Sequence, residues 1–153
     1  MLAAIALGSN LRSPLGDRAA NLHAAIERIH ALGSITAVSS FYDTTPVGLL
    51  DQPRFLNAAL LLETELSPVD LLHALLDIET AMGRRRDLVG PKGPRVIDLD
   101  LLLADGHVIT SPELTLPHPE LENRAFVLEP LAEIAPGWMH PILGRSVAEM
   151  LAG

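Results

Sequence analysis

The segment Arg95-Val96-Ile97-Asp98-Leu99-Asp100-Leu101-Leu102-Leu103 sets two carboxylates into an aliphatic run. In an extended strand, residues two apart face the same side, so Asp98 and Asp100 project together, about 6.5–7 Å apart. Side by side in apolar surroundings they repel each other and lose hydration. A hard divalent cation offsets both costs, and Mg²⁺ takes a few carboxylates together with phosphate oxygens. The same spacing also fits an edge strand with two solvated acids, because Asp-x-Asp alone is a weak motif. Immediately upstream, five of the 11 basic residues fall between Arg84 and Arg95: Arg84, Arg85, Arg86, Lys92 and Arg95. Guanidinium groups suit bidentate phosphate contacts. Carboxylates for a metal beside arginines for phosphate point to transfer of a phosphoryl group from a nucleotide. The plainer alternative is a solvated basic loop neutralised by Asp98 and Asp100.

Other residues could complete such a site. His118 lies in Leu116-Pro117-His118-Pro119, shortly before Arg124. A rigid turn presenting His and then Arg would add phosphate donors, or serve only as a turn. The remaining five histidines show no metal-ligand spacing. Phe55 and Phe126 could sandwich a flat heterocycle, with Asn57 offering donor and acceptor to its edge. Two buried core rings are the bland reading of the same residues. The chain has no P-loop, no G-x-G-x-x-G and no protein-kinase signature.

These residues need elements to hold them. Met1 to Leu7 reads as a buried strand ending at Gly8. Asp17 can cap a helix with Leu22, Ala25, Ile26, Ile29 and Leu32 on one face, and Gly33 stands where a left-handed terminator belongs. Ile35 to Tyr42 is β-rich, Asp43 to Arg54 reads as a long loop, and Phe55 to Leu66 as a buried strand. Ser67 caps a second helix, with Pro68 at its first position and Gly83 as its stop. Gly90, Pro91, Gly93 and Pro94 forbid regular structure before Arg95. Val96 to Leu103 is a strand, which Asp105-Gly106 is expected to turn into a second one from His107 to Thr110. Asn123 is expected to cap a helical turn towards Ile134, and Ser146-Val147-Ala148-Glu149 is a capping-box pattern. The order β-α-β-β-α-β forbids a purely doubly wound sheet. It predicts an α+β fold: a mainly antiparallel sheet of ferredoxin-like type with helices packed on it.

Composition bounds the rest. The chain has 153 residues, 48% of them hydrophobic and only 3% aromatic, with no cysteine and a formal charge of −8. Its mean hydropathy of +0.30 argues against disorder. The length suits one domain with a real core, covering residues 1–153, with no room for a second. The acidic balance argues against nucleic-acid or membrane-surface partners. Missing cysteine and missing targeting segments fit a cytoplasmic protein.

Gly8-Ser9-Asn10-Leu11, Asp51-Gln52-Pro53 with Phe55-Leu56-Asn57, Gly93-Pro94-Arg95-Val96-Ile97-Asp98-Leu99-Asp100, and Leu116-Pro117-His118-Pro119 with Asn123-Arg124-Ala125-Phe126 occur in this order. Together they closely resemble the 6-hydroxymethyl-7,8-dihydropterin pyrophosphokinase family of folate biosynthesis, from about residue 3 to about residue 137. The resemblance implies a ferredoxin-like α/β/α sandwich and a monomer. It implies transfer of pyrophosphate from ATP to the pterin's hydroxymethyl oxygen, with release of AMP. Two Mg²⁺ would sit at Asp98 and Asp100. The pterin would stack between Phe55 and Phe126, with its edge read by Asn57 and by backbone near Thr44, Thr45, Pro46 and Val47. Arg84, Arg86, Arg95, His118 and Arg124 match the phosphate-binding set, with Arg84 and Arg95 closest to the chemistry. Glu79 matches an ATP-proximal acid, and Thr115 a nucleotide contact. Lys92 stands where many members have an aromatic residue, Glu113 where some have Arg, and Pro119 where some have Tyr. Two other readings compete: a different Mg²⁺-dependent nucleotide transferase using Asp-x-Asp, and a non-catalytic ferredoxin-like binding module.

Overall fold

The computed structural model describes residues 1–44, 54–83 and 95–153. Strand β1 (Leu2–Ser9) runs at the centre of the sheet and is followed by helix α1 (Arg18–Ile29). Strands β2 (Ser34–Val38), β3 (Tyr42–Thr44) and β4 (Phe55–Glu63) come next, then helix α2 (Pro68–Ala81) and strand β5 (Asp98–Ala104). A small hairpin, β6 (Ile109–Thr110) and β7 (Thr115–Leu116), leads to helices α3 (Ala125–Ile134) and α4 (Val147–Ala152). The sheet order is β2-β4-β1-β5, β3 also pairs with β4, and every pairing is antiparallel. This is the expected ferredoxin-like arrangement.

Both faces of the sheet are covered, which makes three layers. Ile5, Leu7, Leu60, Leu62, Leu99 and Leu101 pack under α1 and α2. Ala4, Ala59, Leu61, Leu102 and Leu103 pack under α3 and α4. Alternation along each strand divides the residues between the faces, and a bulge in β5 next to Ala4–Ile5 sends both Leu102 and Leu103 to the second face. Each fully buried leucine contributes about 1.5–3 kcal/mol.

The caps follow the sequence. Asp17 accepts from the Ala20 amide at 2.9 Å, Ser67 from Asp70 at 3.2 Å, and Ser146 with Glu149 forms the full capping box. Four expectations need correction. Gly33 is not left-handed: its φ of 163° is extended backbone. Glycine is needed there because an added Cβ would lie 2.2 Å from the Glu63 carbonyl oxygen. The strand expected from Ile35 to Tyr42 is broken at Ser39, whose amide and hydroxyl both bond the main chain of Ala59 at 2.9 Å. Asp43 and Thr44 consequently belong to β3 rather than to a loop. Asp105-Gly106 does not make a hairpin from β5, because Asp105 is tied to Leu2 of β1 through its amide (2.8 Å) and its carboxylate (3.0 Å). Residues 109–110 pair instead with β7. Asn123 closes a short 3-10 turn and does not cap α3, whose N-cap position is Arg124 with no side-chain cap.

Candidate active site

Register assembles the site. Gly8 of β1 lies opposite Asn57 of β4 on one side and Asp98 of β5 on the other, so Asn57, Gly8 and Asp98 form one row across three strands. The next row on the same face is Ala59, Ala6 and Asp100. The face is the one under α3, since Ala6 and Ala59 pack into the aliphatic cluster of that helix. Gly8 keeps the floor open: a Cβ there would sit 3.0 Å from Asn57 Oδ1 and 3.5 Å from Phe55. Asp98, Asp100, Asn57 and Phe55 therefore share one surface at one end of the sheet. Both acids are half-buried, which goes against fully solvated edge acids, although β5 does end the sheet order among the described residues.

The strand bearing the acids is held from three directions. The buried Glu79 of α2, 1% exposed, accepts from the Leu99 amide at 2.7 Å, between the two aspartates. Arg95 donates from Nη1 to Asp98 Oδ2 at 3.1 Å, with both side chains largely covered. The outer edge of β5 receives the His118 amide at the Leu102 carbonyl, 2.9 Å away. That bond sets His118 beside β5, near enough for the Asp98 charge to act on its ring. Its Nδ1 accepts from the Glu120 amide at 3.2 Å, which leaves Nε2 as the N–H donor of the neutral ring. Burial pushes the His118 imidazole below its ordinary value, the Arg124 guanidinium adds to this, and Glu120 and Asp98 oppose it. Arg124 itself is held by Glu120 at 2.9 Å.

Both expected rings carry an arginine. The Arg95 guanidinium lies 5.3 Å from the Phe55 centroid, and that of Arg124 lies 5.9 Å from Phe126, within cation–π range. Asn57 donates from Nδ2 to Thr44 Oγ1, which fixes the orientation of its amide. Thr115 is exposed on the β6–β7 hairpin, whose preceding Glu113 pairs with His73 of α2. Thr45, Pro46, Val47, Arg84 and Arg86 lie outside the described residues. Of the expected site residues that are described, the structure brings Asp98, Asp100, Asn57, Phe55 and Arg95 to one end of the sheet, with Thr44 bonded to Asn57, His118 beside β5, and Arg124 and Phe126 at the start of α3. It places Glu79 behind the strand and Thr115 on the hairpin.

Some supporting residues were not singled out from sequence for these roles. Asp43 receives Arg18 at 2.9 Å and Arg54 at 3.0 Å, and these guanidinium bonds hold its carboxyl at about 2, well below the usual range. This cluster pins β3 to the start of β4 beside Phe55. Glu133 of α3 accepts from Tyr42 Oη at 2.6 Å and from the Ser40 amide at 3.0 Å, tying the helix to the strand break. Neither link has a local signature, because its partners are far apart in sequence.

A ferredoxin-like sheet with two carboxylates on one face, Arg95 on Asp98, and Phe55 and Phe126 each covered by an arginine has the composition of a phosphate-transferring site. Comparison with known proteins narrows the class. Residues 4–136 match the family model described as 7,8-dihydro-6-hydroxymethylpterin-pyrophosphokinase. The chain is 46% identical over 148 residues to the 2-amino-4-hydroxy-6-hydroxymethyldihydropteridine pyrophosphokinase of Pseudomonas aeruginosa, covering 97% of this chain and 88% of that one. It is 47% identical to the enzyme of the same name from Methylorubrum extorquens, with 97% and 90% covered. Among solved structures, the Plasmodium falciparum HPPK-DHPS wild type superposes with a TM-score of 0.79 at 16% identity, covering 99% of this chain and 44% of that longer one. The chain belongs to the 7,8-dihydro-6-hydroxymethylpterin-pyrophosphokinase family.

Proposed function

We propose that this chain transfers the terminal diphosphate of ATP to the hydroxymethyl oxygen of 6-hydroxymethyl-7,8-dihydropterin, releasing AMP, as a step of folate biosynthesis. The observation that supports the site assignment is the row Asn57–Gly8–Asp98, which sets a carboxamide and a carboxylate on either side of a glycine. A generic nucleotide transferase has no use for that amide beside Phe55, and a passive binding module none for the two carboxylates.

Asp98 and Asp100 fit Mg²⁺. They offer hard oxygen donors from one strand face, and no third Asp, Glu or His joins them in a ligand cluster among the described residues. Most coordination positions are thus left to phosphate oxygens and water, the pattern Mg²⁺ favours. Two ions held there, when bound, neutralise the phosphates and lower the pKa of the attacking hydroxyl. Phe55 and Phe126 stack the pterin, and Asn57 reads its edge with its amide fixed by Thr44. The hydroxymethyl oxygen then gives up its proton to solvent and forms its bond to the β-phosphorus as the bond from that phosphorus to the α,β-bridging oxygen breaks, and AMP carries that oxygen away. Arg95, Arg124 and the Nε2–H of His118 donate to the phosphate oxygens, where charge builds. Arg84 and Arg86 extend this set, and Thr115 meets the nucleotide. Glu79 locks the main chain between the two aspartates.

The proposal takes the chain to act as a monomer. Among the described residues no helix is long and apolar enough to cross a membrane, and the absence of cysteine suits the cytoplasm. The test is incubation with ATP, Mg²⁺ and 6-hydroxymethyl-7,8-dihydropterin, with the nucleotides separated by chromatography. AMP and the pterin diphosphate should form in equal amounts. ADP as the product, or no AMP, would overturn the proposal.

A further inference from the structure

The Ser9-Asn10 turn leaves β1 just beyond the Asn57–Gly8–Asp98 row, and the chemistry above makes no use of it. Both residues are nevertheless buried, Ser9 at 0% and Asn10 at 2% exposure. Asn10 is joined to Arg95 twice. Its amide donates to the Arg95 carbonyl at 3.1 Å, and its side-chain Oδ1 accepts from the Arg95 amide at 2.7 Å. The carboxamide thus stands where a neighbouring strand's carbonyl would stand and binds the main chain of one arginine. That arginine is the one whose guanidinium reaches Asp98 and covers Phe55.

The turn is itself braced from behind. Asn21 of α1, at 0% exposure, donates from Nδ2 to the Leu11 carbonyl at 2.8 Å and to Ser9 Oγ at 3.2 Å, and its Oδ1 accepts from Ser13 Oγ. The residues on either side of Asn10 are therefore fixed to a helix of the core. A continuous line of hydrogen bonds runs from α1 through the turn to Arg95 and on to Asp98. Arginine has a long side chain with many rotamers, so the place where its head group arrives depends on where its main chain is held. A misplacement of about 1 Å in a reacting assembly can cost on the order of a hundredfold in rate.

We propose that Asn10 is a positioning residue for Arg95: its side-chain carbonyl fixes the main chain of Arg95 so that the guanidinium meets the transferring phosphate. The inference rests on the reading of Arg95 as a phosphate donor, and the experiment separates the two. Asn10→Ala, Arg95→Ala and the double variant are compared for kcat, for KM of each substrate and for thermal midpoint. Asn10→Ala should lower kcat by roughly 10- to 100-fold with KM for the pterin within about twofold. The double variant should be no slower than Arg95→Ala alone, because both act through one group. Losses that multiply, or a loss accounted for by the unfolded fraction, would overturn the inference and leave the role of Arg95 standing. An Arg95→Ala variant that turns over normally would remove the role of Arg95 and the inference with it. Should Asn10→Ala fail to fold, Asn10→Asp keeps the acceptor for the Arg95 amide and decides the matter: kcat within about threefold of wild type supports the inference, and a loss as deep as that of Arg95→Ala overturns it.

Discussion

The sheet surface under α3 is one face with two ends, and they follow different rules. At one end Ala4, Ala59, Leu61, Leu102 and Leu103 meet Leu128, Leu131 and Val147 in aliphatic contact. Ala59 shares its row with Ala6 and Asp100, where the change begins, and the next row along the same strands is Asn57, Gly8 and Asp98. The opposite face has no such change: Ile5, Leu7, Leu60, Leu62, Leu99 and Leu101 stay apolar. The site is not an insertion placed on a finished fold. It occupies alternate positions of strands that the other face already holds rigid, and side chains on strands are placed more accurately than side chains on loops. A strand can lose hydrophobic burial on one side only if its other side is well packed.

The largest expected effect comes from the polar end. Asp100→Ala should lower turnover by about three orders of magnitude, or about 4 kcal/mol of transition-state stabilisation. Its thermal midpoint should be unchanged or higher, because one of two like charges on the same strand face is gone. AMP formation and a melt followed by far-UV circular dichroism report the two quantities. A variant that keeps its activity would break the comparison and make the acids part of the fold.

The mirror-image experiment is on the apolar face. Leu60 is 0% exposed and lies opposite Ile5 and Val38. Leu60→Ala should cost about 2–5 kcal/mol of stability through lost burial and a cavity, read from urea denaturation. Turnover per folded molecule should be unchanged. A loss of kcat without a loss of stability would mean that the two faces are not independent.

Much of this division is legible in the sequence. The spacing of Asp98 and Asp100 among leucines places them on one side of a strand, and the caps at Asp17, Ser67 and Ser146 are local chemistry that three or four residues specify. What could not be read lies across the chain. The row Asn57–Gly8–Asp98 depends on two registers at once, and register is decided by burial of whole faces. The edge strand breaks at Ser39, tied to Ala59, and at Ser40, tied to Glu133, partners that no window around the break contains. Gly33 looked like a helix terminator and is instead a point of contact with Glu63. Asn10 belongs to the Gly8-Ser9-Asn10-Leu11 motif, and its partner Arg95 is 85 residues away.

A smaller and sharper test uses the boundary between the two ends. Gly8 has no left-handed φ, so alanine costs no backbone strain there and removes some unfolded-state freedom. Its methyl group would, however, lie 3.0 Å from Asn57 Oδ1, tighter than an ordinary contact. Gly8→Ala should therefore melt at or slightly above the wild-type temperature. It should raise KM for the pterin about tenfold, the scale of one methyl group in a tight pocket. An unchanged KM would mean that the row is not the floor of the pterin site.

The least effect is expected where the aliphatic side of the molecule carries its own buried polar group. His140 is 5% exposed, in the turn leading into α4, and its Nδ1 accepts from the amides of Ile142 and Leu143 at 3.2 and 3.1 Å. A proton on Nδ1 would break both bonds. Burial lowers the imidazole below its ordinary value of 6.5, and Glu122, 4.0 Å away, opposes this only in part. The unfolded chain therefore binds this proton more readily than the folded one, and stability rises with pH. The contribution is complete above about 6.5 and is lost as pH falls through that value towards the lower folded one. His140→Asn keeps an acceptor near Nδ1 but does not titrate. Between pH 8 and pH 5.5 the wild-type melting temperature should drop by a few degrees more than that of the variant. His118, also shifted down by burial, is present in both proteins, so its part cancels. Equal drops would show that the His140 turn tolerates the proton and that the polar contacts at this end are not linked to folding.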